Sequence, residues 1–258
     1  MTRRHLTFTC EGAQLAGTLD DADGTIGLLI VSGGNETRAG AFSGQAQLAA
    51  RIAAAGHPVF RFDRRGVGDS EGENGGFRTS APDSAAALAV FRQAAPQVTR
   101  IVGFGNCDAA SALMLARGAG LHAMVLANPW TIESEDASPP PQAIRARYSQ
   151  KLRNPGEIAR LLTGKVSLGK LLRGIGQAMR PAPAPTTLAQ DIAAGLKAFK
   201  GPSTILLAER DRTAQAFAAN WDAGDPRIHR CPGASHAFAE AEARDWLAAR
   251  LLEALGQE

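Results

Sequence analysis

The sequence predicts an α/β protein built on a mostly parallel central sheet. Short apolar segments rich in Val, Leu and Ile alternate with alanine-rich segments of helical periodicity. The apolar segments are continuous rather than alternating, which is typical of parallel strands covered by helices on both faces. A chain of 258 residues suits one large domain, or one domain that carries an insertion.

The individual elements follow from these patterns. Residues 5–10 and 13–19 predict an antiparallel hairpin that turns at Glu11-Gly12. The other predicted strands are Gly27–Ser32, Pro58–Asp63, Thr99–Gly103, Ala123–Asn128, Ser203–Ala208 and Arg227–Cys231. Predicted helices lie at about 42–55, 82–95 and 238–255, and another begins at Cys107. Residues 1–130 and 201–258 together form the predicted core.

Residues 131–200 interrupt this alternation. They contain no convincing strand, and prolines bracket their middle at 139–141 and 181–185. Between these brackets, the segment Asn154-Pro155-Gly156-Glu157 has the residue types of a helix start. We therefore expect a helical cap inserted into the core.

The predicted cap is strongly basic. Between Pro139 and Arg180 it carries nine Lys and Arg residues against Glu157 alone. The simplest interpretation is the solvated face of an amphipathic helix. Two sharper alternatives are recognition of an anionic substrate group, such as a CoA phosphate, and contact with an anionic membrane surface.

Composition limits the functional classes. A net charge of +3 does not indicate nucleic-acid binding. No apolar run is long enough to span a bilayer. No apolar segment typical of a secretory signal follows the first residues, so we do not expect such a signal. Cys10, Cys107 and Cys231 are too few and too scattered for a disulfide framework or a metal site. We expect a cytoplasmic enzyme with reduced thiols and no metal or organic cofactor; the oligomeric state is not indicated.

Cys107 is the candidate nucleophile. It lies where a strand passes sharply into a helix, a turn that needs small residues two positions before and after the nucleophile. Gly105 and Ala109 meet that need. The start of a helix favours a thiolate, although an ionised Asp108 opposes this effect. Taken alone, Cys107 is better explained as a small buried apolar residue.

Two partners strengthen the catalytic hypothesis. Asp211 and His236 each lie in a loop after a predicted strand, and the order nucleophile, acid, histidine is that of a Cys-His-Asp triad on an α/β sheet. His236 would move the proton and Asp211 would orient its ring. Alternatively, Asp211 caps the following helix, Glu209 is the acid, or His236 is a surface histidine.

The oxyanion hole is predicted from backbone N–H groups. Asp108, directly after the nucleophile, would supply one donor, and Gly34 or Asn35 in the Ser32-Gly33-Gly34-Asn35 loop would supply the second. The glycines of that loop are also explained by a tight turn. The segment 63–72 (DRRGVGDSEG) is interpreted as architectural, because glycines and short acids shape turns.

At these motifs the chain resembles the α/β-hydrolase superfamily across nearly its whole length. The segments GGNETRAG and GFGNCDAAS resemble, within it, the exosortase A system-associated hydrolase 1 family. That resemblance implies a bacterial protein encoded near exopolysaccharide and protein-sorting machinery. The turn that carries the nucleophile, the nucleophile elbow, has cysteine in place of serine. In this it resembles the elbows of dienelactone hydrolases and polyhydroxyalkanoate synthases, which implies activated esters, lactones or thioesters as substrates.

Three functions remain open at the level of sequence. The first is hydrolysis of a carboxylic ester, thioester or lactone through an acyl-thioester intermediate on Cys107. The second is acyl transfer from a thioester to a hydroxyl acceptor such as a sugar. The third is a non-catalytic binding or scaffold protein on a hydrolase fold. The presence of both Asp211 and His236 argues against the third.

Overall fold

The computed structural model describes residues 2–133 and 186–256, and within them eight strands and six α-helices. The strands are β1 (Arg3–Cys10), β2 (Ala13–Asp20), β3 (Ile26–Val31), β4 (Val59–Phe62), β5 (Arg100–Asn106), β6 (Ala123–Ala127), β7 (Ser203–Ala208) and β8 (Ile228–Cys231). The helices are α1 (Gly44–Ala54), α2 (Ala81–Ala94), α3 (Asp108–Leu115), α4 (Thr187–Ala198), α5 (Arg212–Ala219) and α6 (Ala241–Gly256). Short 3₁₀ turns lie at Ala41–Ser43 and Phe77–Thr79.

The strands form one sheet in the order β1-β2-β4-β3-β5-β6-β7-β8. Strands β3 to β8 pair in parallel, whereas β2 pairs antiparallel with both β1 and β4. The predicted mostly parallel sheet with an antiparallel N-terminal hairpin is therefore confirmed. The hairpin turns at Glu11 and Gly12, whose φ angles of 46° and 85° are those of a two-residue turn that matches the twist of the strands.

Helices cover both faces of the sheet and bury a separate cluster on each. One cluster joins β3, β4 and β5 to helices α1 and α6 through residues such as Ile30, Ile52 and Leu251. The other packs helices α2 to α5 on the opposite face, where Phe60 stacks on Phe91 with ring centroids 5.7 Å apart. The continuous apolar strands are thus buried on both sides, as their composition indicated.

Only the ends of the predicted cap range, 131–200, can be described. Helix α4 lies in this range, but it packs on the core: Leu188, Ile192 and Leu196 are all buried in the same cluster as α3. Residues 134–185, with the predicted helix start at Asn154 and all nine basic residues, lie outside the described residues. Within the two described ranges, no helix is long and apolar enough to cross a membrane.

Candidate active site

Cys107 occupies the sharp turn between β5 and α3. Its backbone angles are φ 64° and ψ −127°, a conformation that non-glycine residues adopt only under strain. The surrounding structure holds this strain, since the Cys107 N–H donates to the carbonyl of Ala127 on β6 at 2.9 Å. The turn leaves the thiol partly exposed just beyond the carboxyl end of the sheet. Such strain at a reactive side chain is a common property of functional sites.

The small residues around Cys107 are required by close packing. A Cβ atom at Gly105 would lie 2.7 Å from the backbone carbon of Ala109 and 2.7 Å from the nitrogen of Ala110. Ala109 itself is fully buried. The strand and the helix therefore approach each other too closely for larger side chains, which is the physical reason for the sequence pattern.

Asp211 and His236 meet at the same edge of the sheet. Asp211 follows β7, His236 follows β8, and the Nδ1 atom of His236 lies 3.0 Å from Oδ1 of Asp211. The Cys107 side chain is a second hydrogen-bonding neighbour of the imidazole, after Asp211, and both raise its pKa. The second carboxylate oxygen of Asp211 accepts the Ala214 N–H at 2.9 Å. Asp211 is thus both a helix cap and the partner of His236, while Glu209 lies exposed on the turn before it.

The electrostatics of the site favour a charged imidazole. The hydrogen bond that His236 donates to Asp211, followed by the one with Cys107, raises the pKa of His236 to about 10. The ring is therefore protonated at neutral pH. By contrast, burial raises the pKa of Cys10 and of Cys231, so these two thiols are kept neutral.

Two asparagines hold the loop that carries His236. The side-chain nitrogens of Asn106 and Asn128 both donate to the His236 carbonyl, at 3.1 Å and 3.2 Å. Asn128 is fully buried, has a φ of 44°, and accepts the Ala208 N–H at 2.8 Å. It thereby ties the ends of β5, β6 and β7 to the histidine loop. The sequence analysis did not assign this role; the only indication was a polar residue at the end of an apolar strand.

The predicted oxyanion donors lie together, but one of them is occupied. The Gly34 N–H donates to Oδ1 of the Asp108 side chain at 2.6 Å. Gly33 permits this approach, since a Cβ atom there would lie 2.7 Å from the same oxygen. The side-chain oxygen of Asn35 accepts from Asn74, and Asn35 is exposed. The backbone N–H of Asp108 is at the first position of α3, where no intrahelical acceptor exists.

Arg64 is a site residue that the sequence analysis assigned only to an architectural segment. Its side chain is buried next to the loop at residues 32–35, and its Nη2 donates to the Gly34 carbonyl at 2.5 Å. The same nitrogen lies 3.5 Å from Oδ2 of Asp108, which is long for a hydrogen bond. Its Nη1 is buried and has no hydrogen-bond partner among the described residues.

The rest of that segment does have an architectural role. The fully buried Asp63 accepts the Asp69 N–H at 3.1 Å and pairs with the guanidinium of Arg38. Gly68 has a φ of 58°, and a Cβ atom there would lie 2.4 Å from the Asp63 carboxylate. Only glycine fits this turn.

A cavity of about 410 Å³ adjoins the site. It lies between helix α1 with the turn before it, the loop after His236 and the start of α6. Asn106 forms part of its wall, whereas Cys107 and His236 do not line it. Phe42 stands at its rim with 87% of its surface exposed. Across residues 2–133 and 186–256, no group of three His, Cys, Asp or Glu side chains is arranged to hold a metal ion.

Comparison with known proteins identifies the fold family. The sequence model of the alpha/beta hydrolase family matches residues 28–250. A search of the curated proteins finds no match.

Solved structures of similar fold cover almost the whole chain. The structure of DcsB in complex with its substrate analogue has a TM-score of 0.63 at 16% identity, covering 98% of this chain and 99% of that one. The Pyrococcus furiosus esterase Pf2001 has a TM-score of 0.58 at 14% identity, covering 98% and 88%. XC6422 from Xanthomonas campestris, described as a serine hydrolase without lid, has a TM-score of 0.61 at 14% identity, covering 100% and 97%. With its strand order and the extent of the family match, the chain belongs to the alpha/beta hydrolase family.

Proposed function

We propose that the protein hydrolyses a carboxylic ester, thioester or lactone through an acyl-thioester intermediate on Cys107. The observation that carries this proposal is the position of His236 between two partners. Its Nδ1 lies 3.0 Å from Asp211, and its ring hydrogen-bonds to Cys107. This is the arrangement that an activated nucleophile requires: a base in contact with it, and a third group that orients the base.

The first half-reaction transfers the acyl group to sulfur. The Cys107 thiolate attacks the carbonyl carbon, a C–S bond forms, and the electron pair of the carbonyl moves onto oxygen. When the tetrahedral intermediate collapses, the bond to the leaving alcohol or thiol breaks, and His236 gives that group its proton. Asp211 holds the ring and stabilises its positive charge before this transfer.

The second half-reaction consumes water. Neutral His236 takes a proton from water, the hydroxyl oxygen attacks the thioester carbonyl, and the C–S bond breaks to release the acid. The backbone N–H groups of Asp108 and of Gly34 or Asn35 are proposed to stabilise the oxyanion of both tetrahedral intermediates. A thioester is more activated than an ester, so the intermediate is suited to attack by water.

One feature supports an apolar acyl substrate, and a second supports ester chemistry. The 410 Å³ cavity beside Asn106 is bordered by Phe42, Leu48 and Phe238, which suit an apolar acyl group. The esterase Pf2001 has the same fold, which favours ester chemistry on this scaffold by analogy. The resemblance to the exosortase-associated family adds a proposed setting in exopolysaccharide metabolism, where a sugar hydroxyl replacing water would give acyl transfer from the same intermediate.

The proposal is tested by hydrolysis of p-nitrophenyl acetate and of an acyl-CoA by matched variants. Cys107→Ala and His236→Ala should each lower kcat/KM by roughly 10³-fold or more, because triad members act as a unit. Cys231→Ala is the control, since Cys231 is also free but is buried in the apolar cluster that packs on α6, and it should retain full activity. Undiminished hydrolysis by Cys107→Ala would show that the nucleophile is a different residue.

A further inference from the structure

The carboxylate of Asp108 lies where the oxyanion of the proposed reaction would form. Its Oδ1 accepts the Gly34 N–H at 2.6 Å, a short, charge-assisted hydrogen bond. The side chain of Asp108 is only 14% exposed, so water screens this charge weakly. A donor that already holds a carboxylate oxygen cannot stabilise a second anion at the same position.

This arrangement conflicts with catalysis unless Asp108 moves. A tetrahedral oxyanion beside Cys107 would lose the Gly34 donor and would also be repelled by the carboxylate. One oxyanion-hole donor contributes about 10²–10³-fold to the rate of acyl transfer in enzymes of this kind of chemistry. The conflict is therefore large enough to decide whether the enzyme is active.

Arg64 offers the carboxylate another position. Its guanidinium lies below the same loop, with Nη2 3.5 Å from Oδ2 of Asp108. Its Nη1 is buried and lacks a hydrogen-bond partner within the described part of the chain, which is costly for a charged donor. A small rotation of Asp108 away from Gly34 would shorten the first contact and satisfy the second nitrogen, giving the two-point pairing that arginine favours.

We propose that Asp108 blocks the oxyanion hole in the resting protein and moves onto Arg64 when the acyl substrate binds. The inference rests on the proposed function of Cys107. In this movement Asp108 gives up one backbone hydrogen bond and gains a two-point ion pair. The carbonyl oxygen of the substrate then takes the Gly34 N–H. Asp108 and Arg64 are thus positioning residues for the acylation step.

The test compares two reactions of the same thiol. Acylation by p-nitrophenyl acetate passes through an oxyanion, whereas alkylation by iodoacetamide is a direct displacement without one. The ratio of the two second-order rate constants therefore isolates the oxyanion hole from changes in thiol ionisation. Asp108→Ala should raise this ratio by roughly tenfold or more, because it frees one donor. Asp108→Asn, whose neutral amide can still occupy Gly34, should raise it less.

The controls separate this effect from altered helix electrostatics. Glu242→Ala removes an exposed acid from the first turn of a different helix, α6, at a position that does not line the cavity, and should leave the ratio unchanged. An unchanged or lower ratio in Asp108→Ala, with acylation still measurable, would overturn the proposed role of Asp108 and leave the proposed function of Cys107 in place. If iodoacetamide labels Cys107 but no variant is acylated, the proposed function fails and this inference with it.

Arg64 is tested in combination with Asp108. Arg64→Gln should lower the acylation-to-alkylation ratio at least severalfold, because the displaced carboxylate loses its charged partner. In the Asp108→Ala background the same substitution should lower the ratio much less, since only the contact of Arg64 with the Gly34 carbonyl is then lost. An equal loss in both backgrounds would contradict the coupling. Arg64→Lys, which keeps the charge but not the two-point geometry, should fall between wild type and Arg64→Gln.

Discussion

His236 shows how two neighbouring side chains set one charge. Asp211 hydrogen-bonds to one ring nitrogen and Cys107 hydrogen-bonds to the ring on its other side, and together they raise the pKa of His236 to about 10. The imidazolium therefore belongs to the resting protein at neutral pH. In the proposed reaction, this proton would be transferred to the leaving group.

The same charge makes a pH-dependent contribution to stability. The pKa of His236 is higher in the folded protein than its ordinary value of 6.5, so its stabilising effect is complete below pH 6.5 and is lost as the pH rises through about 10. We expect His236→Asn to destabilise the protein more at pH 6 than at pH 10.5. The difference should be at most about 1 kcal/mol, because the side chain is 42% exposed and screened by water.

Urea unfolding of the two proteins across this pH range measures the effect. The comparison is made in the Cys107→Ala background, where the contribution of Asp211 to the raised pKa remains without that of Cys107, so the loss of stability should begin at a lower pH than in wild type. A destabilisation that grows as the pH rises would contradict the assignment of the raised pKa to His236.

Helices α3 and α4 show how one glycine sets the position of an element. Gly195 on α4 faces the end of α3, and a Cβ atom there would lie 2.1 Å from the Met114 carbonyl oxygen. The two helices are therefore in backbone contact. Because Cys107 precedes α3 directly, this contact also supports the elbow from the far end of its helix.

Gly195→Ala should consequently have the opposite sign from an ordinary helix substitution. In an exposed helix, Gly→Ala stabilises by about 1 kcal/mol. Here we expect a loss of about 1–3 kcal/mol, because the added methyl group overpacks the contact. The exposed neighbour Ala194→Gly is the control, with an expected loss of about 1 kcal/mol from helix propensity alone. If urea unfolding showed Gly195→Ala to be more stable than wild type, the account of this contact would be wrong.

Elements were predictable where apolar runs and turn residues agree. Strand β7 has its predicted bounds, Ser203–Ala208, because an apolar run lies between a proline and a charged turn. Strand β5 extends three residues beyond its predicted end at Gly103. Glycine is unfavourable in isolated strands, but here Gly105 pairs with both β3 and β6 while leaving room for α3. Tertiary packing, rather than local preference, carries the strand to Cys107.

At the scale of the whole molecule, the sheet gathers residues that are distant in sequence. Parallel strands end at one edge, so Cys107 after β5, Asp211 after β7 and His236 after β8 are brought together by topology alone. Their meeting could be predicted from the order of the motifs. The contact between Arg64 and Asp108 could not, because it depends on side-chain conformations and on the close passage of the Gly33-Gly34 loop.

The central claim is that Cys107 carries the acyl group, and intact-mass spectrometry tests it most directly. The protein is quenched in acid during turnover of p-nitrophenyl acetate, and the adduct is located by peptide mapping. We predict one acetyl group on Cys107, present in wild type and Cys231→Ala, absent in Cys107→Ala, and lost on further incubation with water before quenching. An acetyl group that remains in Cys107→Ala, or hydrolysis without any adduct on Cys107 under single-turnover conditions, would contradict the account.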